Sequence, residues 1–310
     1  MPRSLEHSER LRRALLSLDG LSIGDAFGER FFGYPKLVLE RIEQRALPAA
    51  PWKYTDDTEM ALAIVEVLDN HERIDQNALA VVFGRRYAAD PTRGYGGTAH
   101  DILQAFSRGA SWRDISPRVF GGQGSMGNGS AMRVAPVGAY FADDWSRVIE
   151  EARASAEVTH THPEGLAGGV VTALAAACAV DMHRGRLPRE PSAFFKALRD
   201  AAPDSMTRRY VEAAANMPLE TRPADAAERL GSGQQVLTVD TVPFCLWCAA
   251  RHLDDYQAAL WTTVAGLGDR DTTCAIVGGI VALSAGEASI PAAFQEAREP
   301  LAIELPVATP

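Results

Sequence analysis

Residues 57–70 read DTEMALAIVEVLDN, and this stretch carries the clearest structural pattern of the chain. Met60, Ile64 and Leu68 recur at i, i+4 and i+8, so their side chains form one apolar stripe along a helix. Aromatic residues are few (7%) and alanine is frequent, whereas strands favour aromatic and β-branched side chains. The stretch and the composition together predict an all-α fold.

The same helical spacing continues on both sides of this stretch. Residues 4–18 have an apolar face that Gly20 is expected to end, and Asp57 or Thr58 is the expected N-cap of the 57–70 helix. Alternating strand patterns are scarce, and the only short candidate lies near Leu37–Glu40. Further helices are predicted over 74–88, 98–107, 145–158, 164–184, 191–201, 206–215, 240–252, 255–266 and 271–285.

The chain contains no segment that reads as a linker, so residues 1–310 are expected to form a single domain. The hydrophobic fraction of 46% is enough for a large core. Residues 291–310 mix Pro, Ala and Glu, and they are expected to form a loose C-terminal tail.

Charge and hydropathy argue against several classes of partner. The net charge of −9 disfavours nucleic acid, whose phosphates attract basic surfaces. The charged N-terminus lacks the apolar region of a signal peptide, and the most apolar stretch, 166–180, is shorter than the ~18–20 residues of a membrane span. We therefore expect a cytoplasmic monomer that does not bind membranes. The cysteines suggest buried core positions rather than a disulfide framework, a redox pair or a zinc site; they are Cys178, Cys245, Cys248 and Cys274.

Two adjacent carboxylates precede the 57–70 stripe in the segment Tyr54-Thr55-Asp56-Asp57-Thr58. Crowded carboxylates raise one another's pKa unless a cation lies between them, and hard oxygen ligands suit Mg²⁺, Mn²⁺ or Ca²⁺. The alternative is that these acids only cap a helix, whose dipole favours negative charge at its N-terminus.

A second acidic cluster favours the metal interpretation. Gly268-Asp269-Arg270-Asp271-Thr272-Thr273 also precedes an apolar helix. The two clusters could together supply four carboxylates and two threonine oxygens to a pair of metal ions.

The glycine-rich segment 124–133, GSMGNGSAMR, predicts a loop whose backbone N–H groups turn toward an anion. It is not a Walker A motif, because the Gly-Lys-Ser/Thr ending is absent. An ordinary surface loop is the alternative.

Two histidines lie just before the apolar 164–184 helix, in the segment Thr159-His160-Thr161-His162-Pro163. They could bind a metal, donate hydrogen bonds to a phosphate or ribose, or cap the helix. A polar contact to a ligand is favoured over zinc, because no further nitrogen or sulfur ligands stand at the usual spacing.

Taken in chain order, these segments resemble the motifs of the ADP-ribosylglycohydrolase family. The first motif of the series is Gly24-Asp25-Ala26-Phe27-Gly28, and the resemblance extends over about residues 10–287. Asp90-Pro91-Thr92-Arg93-Gly94-Tyr95-Gly96 brings the chain closest to the branch that acts on serine-linked ADP-ribose, O-acetyl-ADP-ribose and poly(ADP-ribose). The resemblance implies a compact, orthogonal all-helical assembly.

The resemblance also implies a site with two Mg²⁺ (or Mn²⁺) ions. Thr55, Asp56 and Asp57 would bind one side of this centre, and Asp269, Asp271 and Thr272 the other. A third set of residues would contact the ligand: Phe120 would lie near the adenosine, and His160 would lie near the phosphates or the ribose. The glycine-rich loop would hold the diphosphate, through Gly124, Ser125, Met126, Gly127, Asn128 and Gly129.

Two departures bear on which acceptor is cleaved. Several family members have a catalytic glutamate where this chain has Phe32, and acids stand instead at Glu29 and Glu40. Either one of these, with Glu29 as our candidate, takes its place, or the site works with Asp56 and Asp57 alone. Met126 stands where the closest branch has a tyrosine that stacks on adenine.

The expected activity is metal-dependent hydrolysis of the bond between ribose C1″ and an acceptor, which is a protein serine or arginine or the acetyl group of O-acetyl-ADP-ribose. Asp56, Asp57 and Glu29 are the expected catalytic residues. Three alternatives remain: a binder of ADP-ribose that has lost catalysis, a di-metal phosphoesterase, and a structural helical protein whose acids are only caps.

Overall fold

The computed structural model describes residues 5–303, and this part of the chain is helical without a β-strand. Each of the ten helices predicted from residue 57 onward corresponds to an observed helix. The helices are α1 Leu5–Glu29, α2 Pro35–Glu43, α3 Asp56–His71, α4 Gln76–Ala89, α5 Gly97–Ser107, α6 Trp112–Ile115, α7 Val119–Gly122, α8 Ala135–Tyr140, α9 Trp145–Glu157, α10 Pro163–His183, α11 Pro191–Ala201, α12 Met206–Ala215, α13 Pro223–Leu230, α14 Thr238–Arg251, α15 Tyr256–Val264, α16 Arg270–Ala285 and α17 Ala292–Ala297.

Helices α1 and α16 pack at very short distance along a row of glycines on α1. A Cβ at Gly20 would lie 2.5 Å from the carbonyl oxygen of Gly278, and a Cβ at Gly24 would lie 2.1 Å from that of Cys274. A Cβ at Gly28 would lie 2.2 Å from the carbonyl oxygen of Arg270. These distances are far shorter than any van der Waals contact, so only glycine fits at the three positions. The row holds the C-terminal end of α1 against the N-terminal end of α16.

The same row corrects the expectation that Gly20 ends the first helix. Helix α1 continues to Glu29, because Gly20 makes a close helix contact rather than a C-cap. The buried apolar side chains form one connected core that extends from Leu11 to Ala297.

Helix α10 is the most apolar segment of the described chain. By length and composition alone it could cross a membrane, but its most apolar window is completely buried inside the protein. This confirms the expected buried helix. The four cysteines are free and buried, also as expected.

Three further local predictions were wrong. Leu37–Glu40 lies inside helix α2, whose only buried residue is Val38, rather than in a strand. The N-cap of α3 is Thr55, not Asp57 or Thr58, and the helix begins at Asp56.

The third wrong prediction is the loose tail from residue 291. Within it, α17 packs Phe294 against Phe27 and Trp52, and Trp52 donates a backbone hydrogen bond of 2.6 Å to Ala297. Glu299 accepts hydrogen bonds from the backbone of Tyr54 and from the Arg93 guanidinium. Residues 304–310 of the expected tail lie outside the described residues.

Candidate active site

The first acidic cluster lies at the N-terminus of α3, in a buried position. Asp56 and Asp57 are 8% and 2% exposed. The Thr55 hydroxyl caps the helix by accepting the backbone N–H of Asp57 at 3.4 Å. The capping and the metal interpretations of this segment are therefore compatible, because the threonine caps the helix and both carboxylates remain available.

Beneath this pair lies Asp25 of α1, which sequence reasoning did not single out as a site residue. Its carboxylate accepts backbone hydrogen bonds from Thr55 at 2.9 Å and from Thr58 at 3.1 Å, and it also accepts the hydroxyls of both threonines. Burial raises the pKa of Asp25 to about 6, against the opposing effect of these hydrogen bonds. Asp25 thus fixes the segment that carries Asp56 and Asp57.

The Thr55 hydroxyl lies between two carboxylates. It is 2.9 Å from Asp25 Oδ1 and 3.1 Å from Asp57 Oδ2. A hydroxyl has a single proton to donate, so it satisfies only one of these two oxygens at a time. Asp25 Oδ1 also accepts the backbone N–H of Thr55 at 3.1 Å, so Asp57 Oδ2 is the oxygen that needs a proton or a cation when the hydroxyl donates to Asp25.

The second acidic cluster lies at the N-terminus of α16, where the glycine row brings it beside α1. Burial raises the pKa of Asp271 well above its ordinary value, and the carboxyl of Asp269, with which it shares a hydrogen bond, raises it further. Asp25 acts on Asp271 in the same direction. Thr272, the third predicted ligand of this cluster, is buried (4% exposed).

The structure brings the two clusters within electrostatic reach of each other. Burial, and then the charges of Asp25 and Asp269, raise the pKa of Asp56 to about 8. The pKa of Asp57 is raised well above its ordinary value by burial, then by Asp25 and Asp271. Five acids from three helices therefore form one group, which we call the acid cluster: Asp25, Asp56, Asp57, Asp269 and Asp271.

The chemistry of this cluster fits a hard divalent cation. Asp57 Oδ1 and Asp271 Oδ1 are buried and accept no hydrogen bond. Such anionic oxygens are costly unless a cation or proton satisfies them, and carboxylate and hydroxyl oxygens are ligands that Mg²⁺ and Mn²⁺ prefer. Across residues 5–303, no three His, Cys, Asp or Glu side chains converge as they would around a bound ion. The donor types fit, and small rotations of the carboxylates are needed to close a ligand set.

The glycine-rich loop adjoins this cluster. Asn128 donates a side-chain hydrogen bond of 2.7 Å to Asp269, and its backbone N–H donates to the carbonyl of Val236. The backbone N–H groups of Ser125 and Met126 donate to no group of the described chain. A Cβ at Gly124, where φ is +76°, would lie 2.2 Å from the Thr161 hydroxyl, so this turn requires glycine. The loop thus presents free N–H groups beside the acids, as an anion-binding loop needs.

Met126 belongs to this loop, and Phe120 precedes the loop by four residues in the chain. Phe120 is 60% exposed and has a φ of 52°, an unfavourable backbone conformation for a residue with a side chain. Met126 is half-buried, and its carbonyl accepts a hydrogen bond of 3.1 Å from the backbone of Thr238. Gly127 and Gly129 of the loop lie directly against the ring of His160.

The two histidines of the 159–163 segment have separate roles. His162 is the N-cap of α10 and accepts the backbone N–H of Glu164 at 3.1 Å. His160 faces the glycine-rich loop, with its Nδ1 2.7 Å from the Thr159 hydroxyl. Of the two histidines, only His160 therefore remains a candidate for a ligand contact.

The family model for ADP-ribosylglycohydrolase matches residues 6–305. The chain belongs to the ADP-ribosylglycohydrolase family. It is similar to the ADP-ribosylhydrolase ARH3 of Homo sapiens, with 28% identity over 282 residues that cover 79% of this chain and 74% of that protein.

Other family relatives are consistent with this assignment. The ADP-ribosylarginine hydrolase Tri1 of Serratia proteamaculans is 29% identical over 177 residues, which cover 54% of this chain and 47% of that protein. A solved structure described as an ADP-ribosylglycohydrolase-related protein complex has 23% identity and a TM-score of 0.63, and the match covers 94% of this chain and 93% of that one. The expected ADP-ribosylglycohydrolase-type fold is thereby confirmed. Family membership and the relatives support a hydrolase that acts on ADP-ribose.

A cavity of about 390 Å³ opens beside the acid cluster of this family member, and its lining includes Glu29, Phe32, Thr55 and Asp271. Phe32 is 44% exposed, and the Arg270 guanidinium lies 4.9 Å from its ring centroid. Burial, and to a smaller extent the charge of Asp269, raises the pKa of Glu29.

Of the two acids near the position of the family glutamate, Glu29 lines this cavity and Glu40 does not. Glu40 lies on α2 and pairs with Lys36 at 4.0 Å. A larger cavity, of about 560 Å³, lies behind residues 231–235 and includes no member of the acid cluster in its lining.

Proposed function

We propose that this chain is a metal-dependent ADP-ribosylhydrolase that cleaves the bond between ribose C1″ and an acceptor and releases ADP-ribose. The observation that carries the proposal is the meeting of the two acidic clusters beside the glycine-rich loop, through the Asn128–Asp269 hydrogen bond of 2.7 Å. This arrangement offers a cation site and an anion site next to each other. A ribosyl group attached to a diphosphate needs both.

The residues that would hold two Mg²⁺ or Mn²⁺ ions are Thr55, Asp56 and Asp57 on one side and Asp269, Asp271 and Thr272 on the other. Bound ions would orient the ribose hydroxyls and offset charge during reaction at C1″. The free N–H groups of Ser125 and Met126 support the assignment of the loop as the diphosphate contact. The exposed ring of Phe120 supports the assignment of Phe120 as the adenosine contact.

In the proposed reaction, water forms a bond to C1″ while the bond from C1″ to the acceptor heteroatom breaks. One proton leaves the water, and one proton goes to the acceptor if it departs as a strong base. Asp56 or Asp57 would accept the first proton. Glu29 would deliver the second, because it lines the cavity beside Asp271 and its raised pKa favours the protonated form.

The test measures free ADP-ribose released from serine-linked, arginine-linked and O-acetyl-linked substrates, each with Mg²⁺, with Mn²⁺ and with EDTA. Asp57→Asn is the inactive comparison, and Asp143→Asn, in the turn between α8 and α9 and outside the acid cluster, is the control for the same change of acid to amide. We expect metal-dependent release from one substrate class, loss of that release in Asp57→Asn, and none in EDTA. Release that EDTA leaves unchanged would refute the metal-dependent mechanism, and AMP as the product would indicate a phosphoesterase.

Phe32 favours a second candidate, a protein that binds ADP-ribose without cleaving it. An arginine-stacked aromatic ring occupies the sequence position of the family glutamate. This candidate predicts calorimetric binding of ADP-ribose with no release from any substrate.

A further inference from the structure

A chain of hydrogen bonds leads from a buried arginine to the histidine that faces the glycine-rich loop. Arg133 is fully buried, and its Nη2 donates to the Thr159 hydroxyl at 2.8 Å. The same hydroxyl lies 2.7 Å from Nδ1 of His160. Thr159 is itself buried (4% exposed), so no bulk water competes for these bonds.

The direction of the chain follows from the chemistry of its members. A guanidinium only donates hydrogen bonds, so the Thr159 oxygen must accept from Arg133. The hydroxyl proton has no acceptor in the described chain other than His160, so the hydroxyl donates to Nδ1. A neutral imidazole that accepts at Nδ1 carries its own proton on Nε2. The protonation pattern of His160 is thereby set from the Arg133 end.

The proton on Nε2 points toward the glycine-rich loop. A Cβ at Gly127 would lie 3.4 Å from His160 Nε2, and a Cβ at Gly129 would lie 3.2 Å from the same atom. No group of the described chain accepts a hydrogen bond from Nε2. The ring therefore adds a side-chain donor to the free N–H groups of Ser125 and Met126.

The surroundings keep this ring neutral. Burial lowers the pKa of His160 to about 3, and the positive charge of Arg133 contributes in the same direction. Arg133 has no carboxylate within ion-pair distance; its remaining contacts are the Ser155 carbonyl, the Met60 sulfur and the face of Phe83. The charge of Asp56 acts against the lowering of the Arg133 pKa by burial. A buried cation without a direct ion pair is costly, so a role that only fills space would be better served by an apolar side chain.

We infer that Arg133 and Thr159 are positioning residues that hold His160 in its Nε2–H form, as a donor to a phosphate oxygen of a nucleoside diphosphate in the glycine-rich loop. The inference rests on the proposed function for the identity of this ligand. The protonation pattern itself does not depend on catalysis.

The binding experiment compares Thr159→Val, which removes the hydroxyl, with Thr159→Ser, which keeps it. Thr172→Val is the matched control, because Thr172 is also fully buried but its hydroxyl has no hydrogen-bond partner. Calorimetry with ADP-ribose should give an affinity loss of about 10-fold or more for Thr159→Val, the size expected for one bond to a charged group. Thr159→Ser and Thr172→Val should stay within about 3-fold of the parent.

The second readout is the ¹⁵N NMR spectrum of histidine-labelled protein, with His160→Gln used to assign the His160 signals. We expect Nε2 protonated and Nδ1 unprotonated from pH 5.5 to 8.5, and a change of this pattern in Thr159→Val only. A proton on Nδ1, or a His160 that titrates near its ordinary pKa, would overturn the inference. So would a Thr159→Val protein that loses thermal stability but binds ADP-ribose as the parent does.

The two proposals fail separately. If ADP-ribose binds and the spectra are as expected, but no substrate is cleaved, the inference stands and the hydrolase proposal falls. If hydrolysis is observed and Nδ1 carries the proton, the hydrolase proposal stands and the inference falls.

Discussion

Substitution of Asp56 tests the metal site, because it should raise the stability of the metal-free protein and weaken metal binding. No other described residue donates a hydrogen bond to its carboxylate, and its pKa is raised from an ordinary 3.8 to about 8 by burial and by the neighbouring acids. In the unfolded chain this group is ionised at pH 7, so folding without metal requires it to take up a proton. That requirement costs about 4 kcal/mol at pH 7.

Asp56→Asn removes this cost. We expect the metal-free variant to be more stable than the parent at pH 7 by about 2–4 kcal/mol, since the new amide must also find partners. For a chain of this size, the gain corresponds to a melting temperature higher by about 3–6 °C. The parent should lose stability as the pH rises from about 4 to about 8, because its raised pKa favours the protonated form, and the variant should lose less.

Metal ions should narrow or remove the difference in stability between the two proteins. A site occupied at 100 times its Kd stabilises a fold by about 2.7 kcal/mol. We expect such a shift with Mg²⁺ or Mn²⁺ in the parent, with a larger shift at pH 8 than at pH 6, and little or none in Asp56→Asn.

The assay is thermal and urea unfolding of both proteins between pH 5 and 9, with EDTA and with each metal. Asp143→Asn provides a control of opposite sign, since hydrogen bonds and charges from arginines lower the pKa of Asp143 and its loss should destabilise the fold. An Asp56→Asn protein that is less stable than the parent in EDTA, or that keeps the full metal shift, would refute the reasoning.

Three further outcomes are expected. Glu29→Gln should lower kcat by about 10²–10⁴-fold for a serine-linked substrate and much less for an O-acetyl substrate, whose leaving group needs no proton; equal losses on both would contradict the role of general acid. Gly124→Ala should weaken ADP-ribose binding and lower the melting temperature, because its Cβ would meet the Thr161 hydroxyl at a left-handed φ; unchanged calorimetry would contradict this. Asp25→Ala should abolish the metal-induced thermal shift although Asp25 is not a predicted ligand, since the Thr55–Thr58 segment loses its hydrogen-bond acceptor. A full shift would show that this segment keeps its conformation without Asp25.

Helix positions could be predicted from the sequence because they depend on local spacing. The 57–70 stripe and the apolar 164–184 segment each carry enough pattern to determine a helix without knowledge of their neighbours. One failure came where a distant segment determines the structure: Gly20 suggests a helix end, but α16 packs against it and the helix continues. Leu37–Glu40 failed for a local reason, because Pro35 begins a helix there.

The site could be predicted in part for the same reason. The two acidic clusters and the glycine-rich loop are each continuous in sequence, and the structure brings them together as a group. Asp25 was missed because its partners, Thr55 and Thr58, stand 30 and 33 residues further along the chain. A signal was present, since an acid in the largely apolar stretch 21–28 needs partners when that stretch is buried.

The glycine row on α1 connects these observations. Because Gly24 and Gly28 allow α1 to approach the backbone of α16, Asp25 and Asp271 lie near enough for each to raise the pKa of the other or of its neighbours. A looser packing of the two helices would relieve this repulsion and stabilise the metal-free protein, but it would also separate the donors that a cation needs. The close contact of α1 and α16 therefore lowers the stability of the metal-free protein and keeps the carboxylates near enough to bind a cation. Core packing holds these like charges together until a cation or protons balance them. On this argument the stability of the fold and the occupancy of the site cannot be varied independently.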